Sequence, residues 1–379
     1  MEAIKVLFFI FIFLTVYSYV VYPLILGILS LFFRKELSRS DEIPPVTLII
    51  SVFNEEAVIE GKIKNSLELD YPKELLEIIV VSDKSTDRTD DIVKAYSVNG
   101  VVLLSQSGRM GKTAGLNVAV QKAAGEIIVF SDAGSMYPPD TIRKMVDYLS
   151  DPNVGLVTGS TRYAAVKDER LAETSGIYTR LERFIKRHES NIGSCVGADG
   201  AIFAMRKSLY QPLQDDDIND LVIPLNVVRQ GYRVVLHADL YCFEASSPDS
   251  TSEFKRQTRI TNRTLWALFR HKNLMNFCRH PLFSFELISH KLIRLSVPIF
   301  LMVLIPFNLL LLQDGFIYRL LLISQGVFYG GALIGYWQEM QGGNIGRVGF
   351  IYHFVLVNIS IVMGWCKFLS GKKQVTWNR

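Results

Sequence analysis

The sequence is poor in cysteine and has no paired cysteine motif. The four cysteines lack the C-x-x-C spacing of a zinc site and give no disulfide framework; they are Cys195, Cys242, Cys278 and Cys366. We therefore expect four reduced thiols, the last in a membrane segment. An excess of one charge sign is also missing. The formal net charge of +4 does not give the basic footprint of a nucleic-acid-binding protein.

Charge is absent from a long stretch near the start of the chain. No charged side chain occurs between Lys5 and Arg34, and this run is long enough to cross a bilayer of about 30 Å. The alternative is a cleaved signal peptide. The run exceeds the usual apolar core of about 7–15 residues and lacks a small-residue cleavage site. We therefore expect a retained transmembrane anchor over residues 1–33.

The linker that follows, residues 34–45, is charged and ends in two prolines. Its three basic residues are Arg34, Lys35 and Arg39. Cytoplasmic ends of membrane helices carry an excess of lysine and arginine, so we expect the globular part, residues 46–250, on the cytoplasmic side.

Apolar segments return near the end, in a predicted membrane region over residues 289–370 with a basic tail at 371–379. The segments are 292–312, 316–336 and 348–366. Three crossings would leave the basic tail outside, against the charge rule. Either the last segment lies in the interface or re-enters, or another segment is misassigned.

Between these regions, strand and helix patterns alternate. The predicted strands are 46–52, 76–82, 101–105 and 126–130, and the predicted helices between them are 55–69, 87–96 and 112–123. This alternation is typical of βαβ units with right-handed crossovers and a parallel sheet. The fold class is therefore α/β, of the doubly wound nucleotide-binding type.

Two further helices are amphipathic. One is predicted over 173–190. The other lies in a region of interface helices, residues 251–288, where basic and apolar residues interleave. Such a helix lies at the membrane surface or against a bound polyanion. A solvated basic face is the alternative.

Polar residues follow the ends of the predicted strands. They are Ser51, Asn54 and Glu55, then Ser82, Asp83, Ser85 and Asp87, then Lys112 and Asn117, and finally Asp132. The carboxyl ends of parallel strands meet in one crevice, where acids accept from ribose or base donors and a lysine neutralises phosphate. Asn54 has an alternative role as the cap of a helix beginning at Glu55.

Asp132 is harder to explain as a structural residue. It directly follows an apolar strand, and two prolines after it make a helix cap at this position a poor explanation. A divalent cation that bridges a diphosphate needs only one or two protein carboxylates. Asp132 fits such a position.

Together these segments resemble a known family. The motifs are ISVFNEE, VVSDKSTDRT, GRMGKTAGLN, FSDAGSMYPPD, GADGAIFAMRKSLY, INDL and KRQTRI. They are similar to those of the membrane-bound family 2 glycosyltransferases of the GT-A fold, which include poly-N-acetylglucosamine, hyaluronan and cellulose synthases. The resemblance implies a GT-A domain with a mostly parallel sheet, flanked by transmembrane helices, in a bacterial inner membrane.

The resemblance also implies roles for individual residues. Nucleotide contacts would come from Asn54, Glu55, Asp83 and Lys112. Asp132 would hold the diphosphate through Mg²⁺ or Mn²⁺. The metal motif of the family is D-x-D, whereas this chain has Gly134 at the third position, so one acid is missing.

On the acceptor side, the resemblance points to two aspartates. The family's Glu-Asp base motif matches Asn219-Asp220, which makes Asp220 the candidate general base. Asp199 in GADG resembles the turn near the acceptor. The alternatives are a solvated acid at Asp220 and a plain glycine turn at Asp199.

The processive members carry Q-x-x-R-W, where this chain has RQTRI without the tryptophan. Arg256, Arg259 and Arg263 fall at helical spacing on one face, and guanidinium groups suit a diphosphate leaving group. The changed motif leaves processive synthesis an open question.

The predicted activity is an inverting transfer of a sugar from a nucleoside-diphosphate donor, UDP by the resemblance, to a glycan or lipid-linked acceptor. The predicted partners are the donor, the acceptor, membrane lipid and other secretion subunits, with no nucleic acid. A single-sugar transferase to a lipid carrier and a weakly active scaffold subunit are the alternatives.

Overall fold

The computed structural model describes residues 1–33, 42–163, 169–245, 250–341 and 348–374, with side chains described from residue 178 onward in the third range. Most of the predicted linker, residues 34–41, and the end of the basic tail, residues 375–379, lie outside this description.

A seven-stranded sheet forms the centre of the globular part. Its strands are β1 Val46–Val52, β2 Leu76–Ser82, β3 Val101–Ser105, β4 Ile127–Asp132, β5 Val154–Tyr163, β6 Ile202–Arg206 and β7 Arg233–Glu244. The spatial order is β3-β2-β1-β4-β6-β5-β7, and only β6 runs antiparallel to its neighbours. The predicted α/β class with a mostly parallel sheet is confirmed.

Helices cover both faces of the sheet and continue beyond it. They are α1 Glu2–Val16, α2 Tyr22–Phe32, α3 Ile59–Leu67, α4 Thr89–Ala95, α5 Lys112–Lys122, α6 Thr141–Leu149, α7 Glu169–Ile192, α8 Asn219–Arg229, α9 Ser250–Arg270, α10 Pro281–Leu287, α11 Arg294–Leu310, α12 Phe316–Met340 and α13 Gly349–Leu369. π-Helical turns join α1 to α2 and α10 to α11.

Several predicted boundaries differ from the structure, and two of them affect the position of the site residues. The first helix begins at Ile59 instead of Glu55, because residues 55–58 form a turn. β4 extends to Asp132, beyond the predicted end at residue 130, because Asp132 pairs in register with Ser51 of β1. Asp132 is therefore the last residue of the strand, and its pairing with β1 fixes its position.

The central strands are buried on both faces, as helices on either side of a parallel sheet require. All seven residues of β1 are buried. The apolar core divides into two layers, one on each side of the sheet, with Ile49 and Phe130 in one layer and Leu48 and Val129 in the other. This packing holds the carboxyl ends of β1, β2 and β4 at one rigid edge.

Four helical segments of the described residues are long and apolar enough to cross a membrane. They are Glu2–Phe32, Pro281–Leu310, Phe316–Met340 and Gly349–Leu369. α1 packs against α11 through Phe8 and Leu304, and α2 packs against α7 through Leu26 and Ile185. The apolar helices therefore form one assembly that is joined to the globular part through α7.

The last of these segments, α13, lies along the basic helix α9. A Cβ at Gly364 would lie 2.6 Å from Thr261, so the two backbones approach closely. Further along, the ring of Phe368 packs against those of Trp266 and Phe269. Beyond the end of α13, Lys373 forms an ion pair of 3.1 Å with Asp216 in the globular part.

These contacts favour the interfacial alternative for the last segment. A helix of 21 residues that crossed the membrane would carry its end about 30 Å away from the globular side. The ion pair of Lys373 instead returns the tail to that side. With three crossing segments, the basic tail and the globular part share one side of the membrane, which agrees with the charge rule.

The side on which the tail lies can be measured by cysteine labelling. On a background with Cys278 and Cys366 changed to Ser, we expect Gln374→Cys and Lys122→Cys to react with an impermeant maleimide from the same side of sealed vesicles. Gln313→Cys, in the turn between α11 and α12, should react from the other side. Labelling of Gln374→Cys together with Gln313→Cys would show that α13 crosses.

Candidate active site

Asp83 follows β2 and holds the first loop of the site. The buried carboxylate accepts at Oδ1 from the backbone N–H groups of Met110 and Gly111, each at 2.9 Å, and from Gln106 Nε2 at 3.2 Å. These bonds fold the segment before α5 over the end of β2. Oδ2 is enclosed and has no hydrogen-bond partner within the described ranges, so it is available to a polar ligand.

Two residues beside this loop have left-handed backbones, Asn54 with φ 54° and Lys84 with φ 60°. Asparagine tolerates this conformation, whereas for lysine it costs about 1–2 kcal/mol. Asn54 Oδ1 accepts from the N–H of Thr86 at 2.8 Å, and the N–H of Asn54 donates to Ser85 Oγ at 3.1 Å. Asn54 therefore joins the ends of β1 and β2, and its alternative role as a helix cap is wrong.

Glu55 continues the same connection. Its N–H donates to Thr89 Oγ1, at the start of α4, at 2.8 Å. The turn after β1 is thereby tied to the helix after β2. The structure thus brings Asn54, Glu55 and Asp83 to one edge of the sheet, where the sequence predicts the nucleotide.

Lys112 and Asp132 meet at the same edge. Lys112 begins α5, Asp132 ends β4, and the ammonium group contacts Asp132 Oδ1. The Lys112 side chain is 17% exposed and that of Asp132 is 42% exposed. At Gly134 an added Cβ would meet no atom within 4 Å. The turn after β4 therefore has one acid and an open space where the D-x-D motif has its second acid.

Asp220 lies in the first turn of α8, against a glycine turn. Its carbonyl oxygen accepts from the N–H of Ala198 at 2.7 Å. Gly197 has φ +86°, a backbone conformation that glycine adopts without strain, and a Cβ at Gly200 would lie in ordinary contact with Asp220 Oδ2, at 3.4 Å. Asp220 Oδ1 is enclosed and, among the residues described, has no hydrogen-bond partner.

The surroundings of Asp220 change its acidity. Burial raises its pKa, as does Asp199, while the ammonium groups of Lys112 and Lys186 lower it. Lys186 is fixed by a bond of 3.0 Å from Nζ to the carbonyl oxygen of Ala198. An enclosed carboxylate with a raised pKa accepts a proton more readily than an exposed one, which suits a general base.

Asp199 has its carboxylate engaged within the protein. It accepts from the N–H of Thr161 at 2.8 Å, from the hydroxyl of Thr161 at 3.0 Å and from the N–H of Ala201 at 3.2 Å. These bonds fix the glycine turn on β5. They favour the structural alternative for Asp199, whose bonds position the glycine turn against Asp220.

Two charged residues near Asp132 were missed by sequence reasoning. Glu244 ends β7, and Ser135 Oγ donates to its Oε1. Lys62 of α3 is fully buried, donates to the carbonyl oxygen of Ser135 and lies 3.9 Å from the ring centroid of Tyr137. No sequence motif marks either residue, because both reach the site through contacts between distant segments.

The three predicted arginines of α9 have different surroundings. Arg256 forms an ion pair of 2.8 Å with Glu253. Arg263 is buried and donates to the carbonyl oxygens of Asp216 and Asp217. Burial lowers the pKa of Arg259. The guanidinium groups of Arg263 and Arg256 lower it further, because they lie near Arg259 along the same helix.

These contacts divide the roles of the three arginines. Arg263 holds the loop that precedes Asp220. Arg259 has no ion-pair partner in the part of the chain that the structure describes. It is therefore the one of the three best placed to meet an anionic ligand.

Comparison with protein families identifies the globular part. Residues 47–213 match the family described as Glycosyl transferase family 2. The chain carries a family 2 glycosyltransferase domain. The match includes Asp83, Lys112, Asp132 and Asp199, whereas Asp220 lies seven positions beyond its end.

Curated relatives of the glycosyltransferase domain differ in their named activities. The chain is 29% identical over 245 residues to the probable glycosyltransferase YdaM of Bacillus subtilis, covering 60% of this chain and 55% of YdaM. It is 26% identical over 273 residues to a poly-beta-1,6-N-acetyl-D-glucosamine synthase of Staphylococcus epidermidis, covering 66% of each. A beta-monoglucosyldiacylglycerol synthase of Synechocystis is 34% identical over 116 residues, covering 30% of this chain and 24% of that protein.

A solved structure matches nearly the whole chain. It is the mannosyltransferase PcManGT from Pyrobaculum calidifontis, in complex with GDP-Man and Mn²⁺. The TM-score is 0.75 at 21% identity, and the match covers 98% of this chain and 100% of that one. The GT-A fold of the glycosyltransferase domain, together with the helices around it, is therefore a known arrangement.

Replacing the buried Lys62 of the glycosyltransferase domain by Met should reduce the pH dependence of thermal stability. Burial lowers the pKa of Lys62 to about 7 from 10.5. The unfolded chain therefore binds more protons between these values, and the wild-type protein gains stability as the pH rises. From pH 7 to pH 9 the gain is about 2 kcal/mol, at 1.36 kcal/mol per unit of pKa.

The measurement is the melting temperature in detergent with EDTA. The wild-type value should rise relative to that of Lys62→Met by roughly 2–4 °C per kcal/mol. Lys64→Met is the control, since Lys64 lies on the same helix and is 58% exposed. Parallel pH curves for wild type and Lys62→Met would contradict the assignment.

Proposed function

We propose that this chain is an inverting glycosyltransferase that moves a sugar from a nucleoside-diphosphate donor to an acceptor at the membrane surface. The observation that carries the proposal is the position of Asp220. Its Oδ1 is enclosed without a hydrogen-bond partner in the described part of the chain, and Lys112, which contacts Asp132, is close enough to lower the pKa of Asp220. The ammonium group of Lys112 is therefore near both the proposed base, Asp220, and the proposed diphosphate-binding residue, Asp132.

The donor would bind along the carboxyl edge of the sheet. Asp83 Oδ2 would accept from a base N–H, and Asn54 and Glu55 would line the nucleoside side of the crevice. We propose UDP as the nucleotide from the motif resemblance. The structural neighbour was solved with GDP-Man, so a guanine nucleotide is the alternative that a binding assay should include.

A divalent cation fits the diphosphate side. Asp132 presents a partly exposed carboxylate, which is the type of oxygen ligand that divalent cations prefer, and Lys112 contacts its Oδ1 and could neutralise a bound phosphate. No group of three or more His, Cys, Asp or Glu side chains that could hold a metal was found among the described residues, so the donor phosphates would supply further oxygen ligands. Mn²⁺ is present in the structural neighbour, and Mg²⁺ has the same preference for oxygen.

The chain's own residues account for the proton and charge steps. Asp220 Oδ1 takes the proton of an acceptor hydroxyl group while the oxygen of that hydroxyl group forms a bond to the anomeric carbon of the donor sugar. The bond from that carbon to the diphosphate oxygen breaks on the opposite face, and the configuration inverts. Lys112 and Arg259 would stabilise the negative charge that develops on the diphosphate. A bound divalent cation would supply additional stabilisation of the same charge.

The apolar helices beside the globular part favour an acceptor that is linked to a lipid. α13 lies along α9, which supports an interfacial last segment, and the chain would then have three crossing segments. Three crossing segments are few for a polymer channel in one chain. Ile260 also replaces the tryptophan of Q-x-x-R-W. These observations favour transfer of a single sugar to a lipid-linked acceptor over processive synthesis.

The scaffold alternative is less well supported. Asn219 replaces the glutamate of the base motif, but Asp220 keeps an enclosed carboxylate and a positive neighbour. A scaffold has no need of either feature. The named activities of the relatives include both glycan and glycolipid synthesis, so a glycan acceptor and partner subunits remain part of the proposal.

Replacing Asp220 by Asn should reduce sugar transfer by on the order of 10²–10⁴-fold, because the acceptor hydroxyl loses its general base. Donor binding should stay near normal. The assay is nucleotide release from several sugar nucleotides in membranes, with and without acceptor lipid. Asp215→Asn is the control, since Asp215 is exposed and lies five residues before Asp220. Transfer at a near-normal rate in Asp220→Asn would show that the base is elsewhere.

Replacing Asp83 by Asn should weaken nucleotide binding roughly 10- to 100-fold, the range expected for a hydrogen bond to a charged group. Isothermal titration of UDP and GDP into detergent-solubilised protein gives the affinity and the base preference. Asp91→Asn is the matched control, because Asp91 is exposed in the adjacent helix and forms a surface ion pair with Lys94. Equal affinities in Asp83→Asn and wild type would remove Asp83 from the nucleotide site.

A further inference from the structure

We propose that Glu244 provides the second acidic group of the divalent-cation site, in the place of the acid that Gly134 lacks. This inference rests on the proposed function, in which a cation bridges Asp132 and the donor diphosphate. It adds a residue from the far end of the sheet, at the end of β7, to a site that the family motif confines to one turn.

The backbone brings Glu244 to this turn. The residue before it, Phe243, pairs with Met136 through two hydrogen bonds of 2.9 Å, one in each direction. Ser135 Oγ then donates to Glu244 Oε1, and the N–H of Ser135 donates to the carbonyl oxygen of Asp132 at 3.2 Å. The Glu244 carboxylate is thus fixed on the turn that begins at Asp132, next to the position of the missing acid.

The half-buried Glu244 carboxylate lies in the same crevice as Asp132, because Ser135 of the turn that begins at Asp132 donates to it. Two carboxylates that repel each other across a partly enclosed space are stabilised by a divalent cation between them. Glu244 Oε2 has no hydrogen-bond partner in the described ranges, so it can act as an oxygen ligand.

Other acids of the site are less suitable. Both carboxylate oxygens of Asp199 accept bonds from Thr161. Asp220 lies on the proposed acceptor side, where its enclosed Oδ1 is the proposed general base. Another charged group near the turn, Lys62, is a cation, and it fixes the turn by donating to the carbonyl oxygen of Ser135. Glu244 is therefore the acid that combines an anchored side chain with a position beside Asp132.

The space at Gly134 gives a direct rescue experiment. Because an added Cβ would meet no atom within 4 Å, Gly134→Asp should be accepted and should restore the D-x-D arrangement. A carboxylate at residue 134 should then compensate for the loss of the one at residue 244. A purely structural role of Glu244 in holding Ser135 would not be restored in this way.

The experiment measures Mn²⁺ binding by electron paramagnetic resonance, on the full chain in detergent, with saturating UDP and in parallel with GDP. We expect Glu244→Gln to weaken Mn²⁺ binding at least 10-fold while nucleotide binding without metal is unchanged. Asp132→Asn should lose Mn²⁺ binding as well. Gly134→Asp combined with Glu244→Gln should recover most of the affinity. Asp239→Asn, on the same strand and 64% exposed, is the control.

The outcomes separate this inference from the proposed function. If wild type and Glu244→Gln bind Mn²⁺ equally while Asp132→Asn does not, the role of Glu244 is overturned and the cation site stands. If Glu244→Gln is weaker but Gly134→Asp gives no recovery, Glu244 acts only through the fold and the inference is also overturned. If wild type binds nucleotide and transfers sugar in EDTA without binding Mn²⁺, the inference fails and glycosyl transfer remains.

Discussion

The ammonium group of Lys112 is the interaction on which the arrangement of the site depends. It contacts Asp132 directly, and its charge partly offsets the rise that burial causes in the pKa of Asp220 and of Glu244. Three carboxylates in one crevice would otherwise repel each other with little water to screen them. The position of this lysine follows from Asp83, whose bonds to the backbone of Met110 and Gly111 fix the start of α5.

The loop before Asp220 is fixed from the membrane side. Arg263 donates to the carbonyl oxygens of Asp216 and Asp217, and Arg270 pairs with both carboxylates. Lys373, beyond α13, adds an ion pair to Asp216. Because these groups belong to α9 and to the tail after α13, the loop before the proposed base is held by segments that adjoin the apolar helices.

The departures from the family pattern occur at places where other residues are near. The turn after β4 has Gly134 where the family motif has an acid. Glu244, at the end of β7, accepts a hydrogen bond from Ser135 in that turn. Asn219 removes the glutamate before the base, and Lys186 lies close enough to change the acidity of Asp220. At Gly134, a carboxylate from a distant strand can thus take the place of the acid that the local motif lacks, whereas at Asn219 the nearby charge is a cation.

The sequence by itself determined the α/β fold, the strands β1 to β4 and the convergence of Asn54, Asp83, Lys112 and Asp132. These follow from local hydrophobic periodicity and from the rule that parallel strands end at one edge. The tertiary structure decided the rest. Glu244 reaches Asp132 through pairing between residues more than 100 positions apart, and no local pattern specifies that pairing. An apolar segment such as α13 has the same hydropathy whether it crosses the membrane or lies along α9, because hydropathy measures the tendency to leave water and does not name the neighbour.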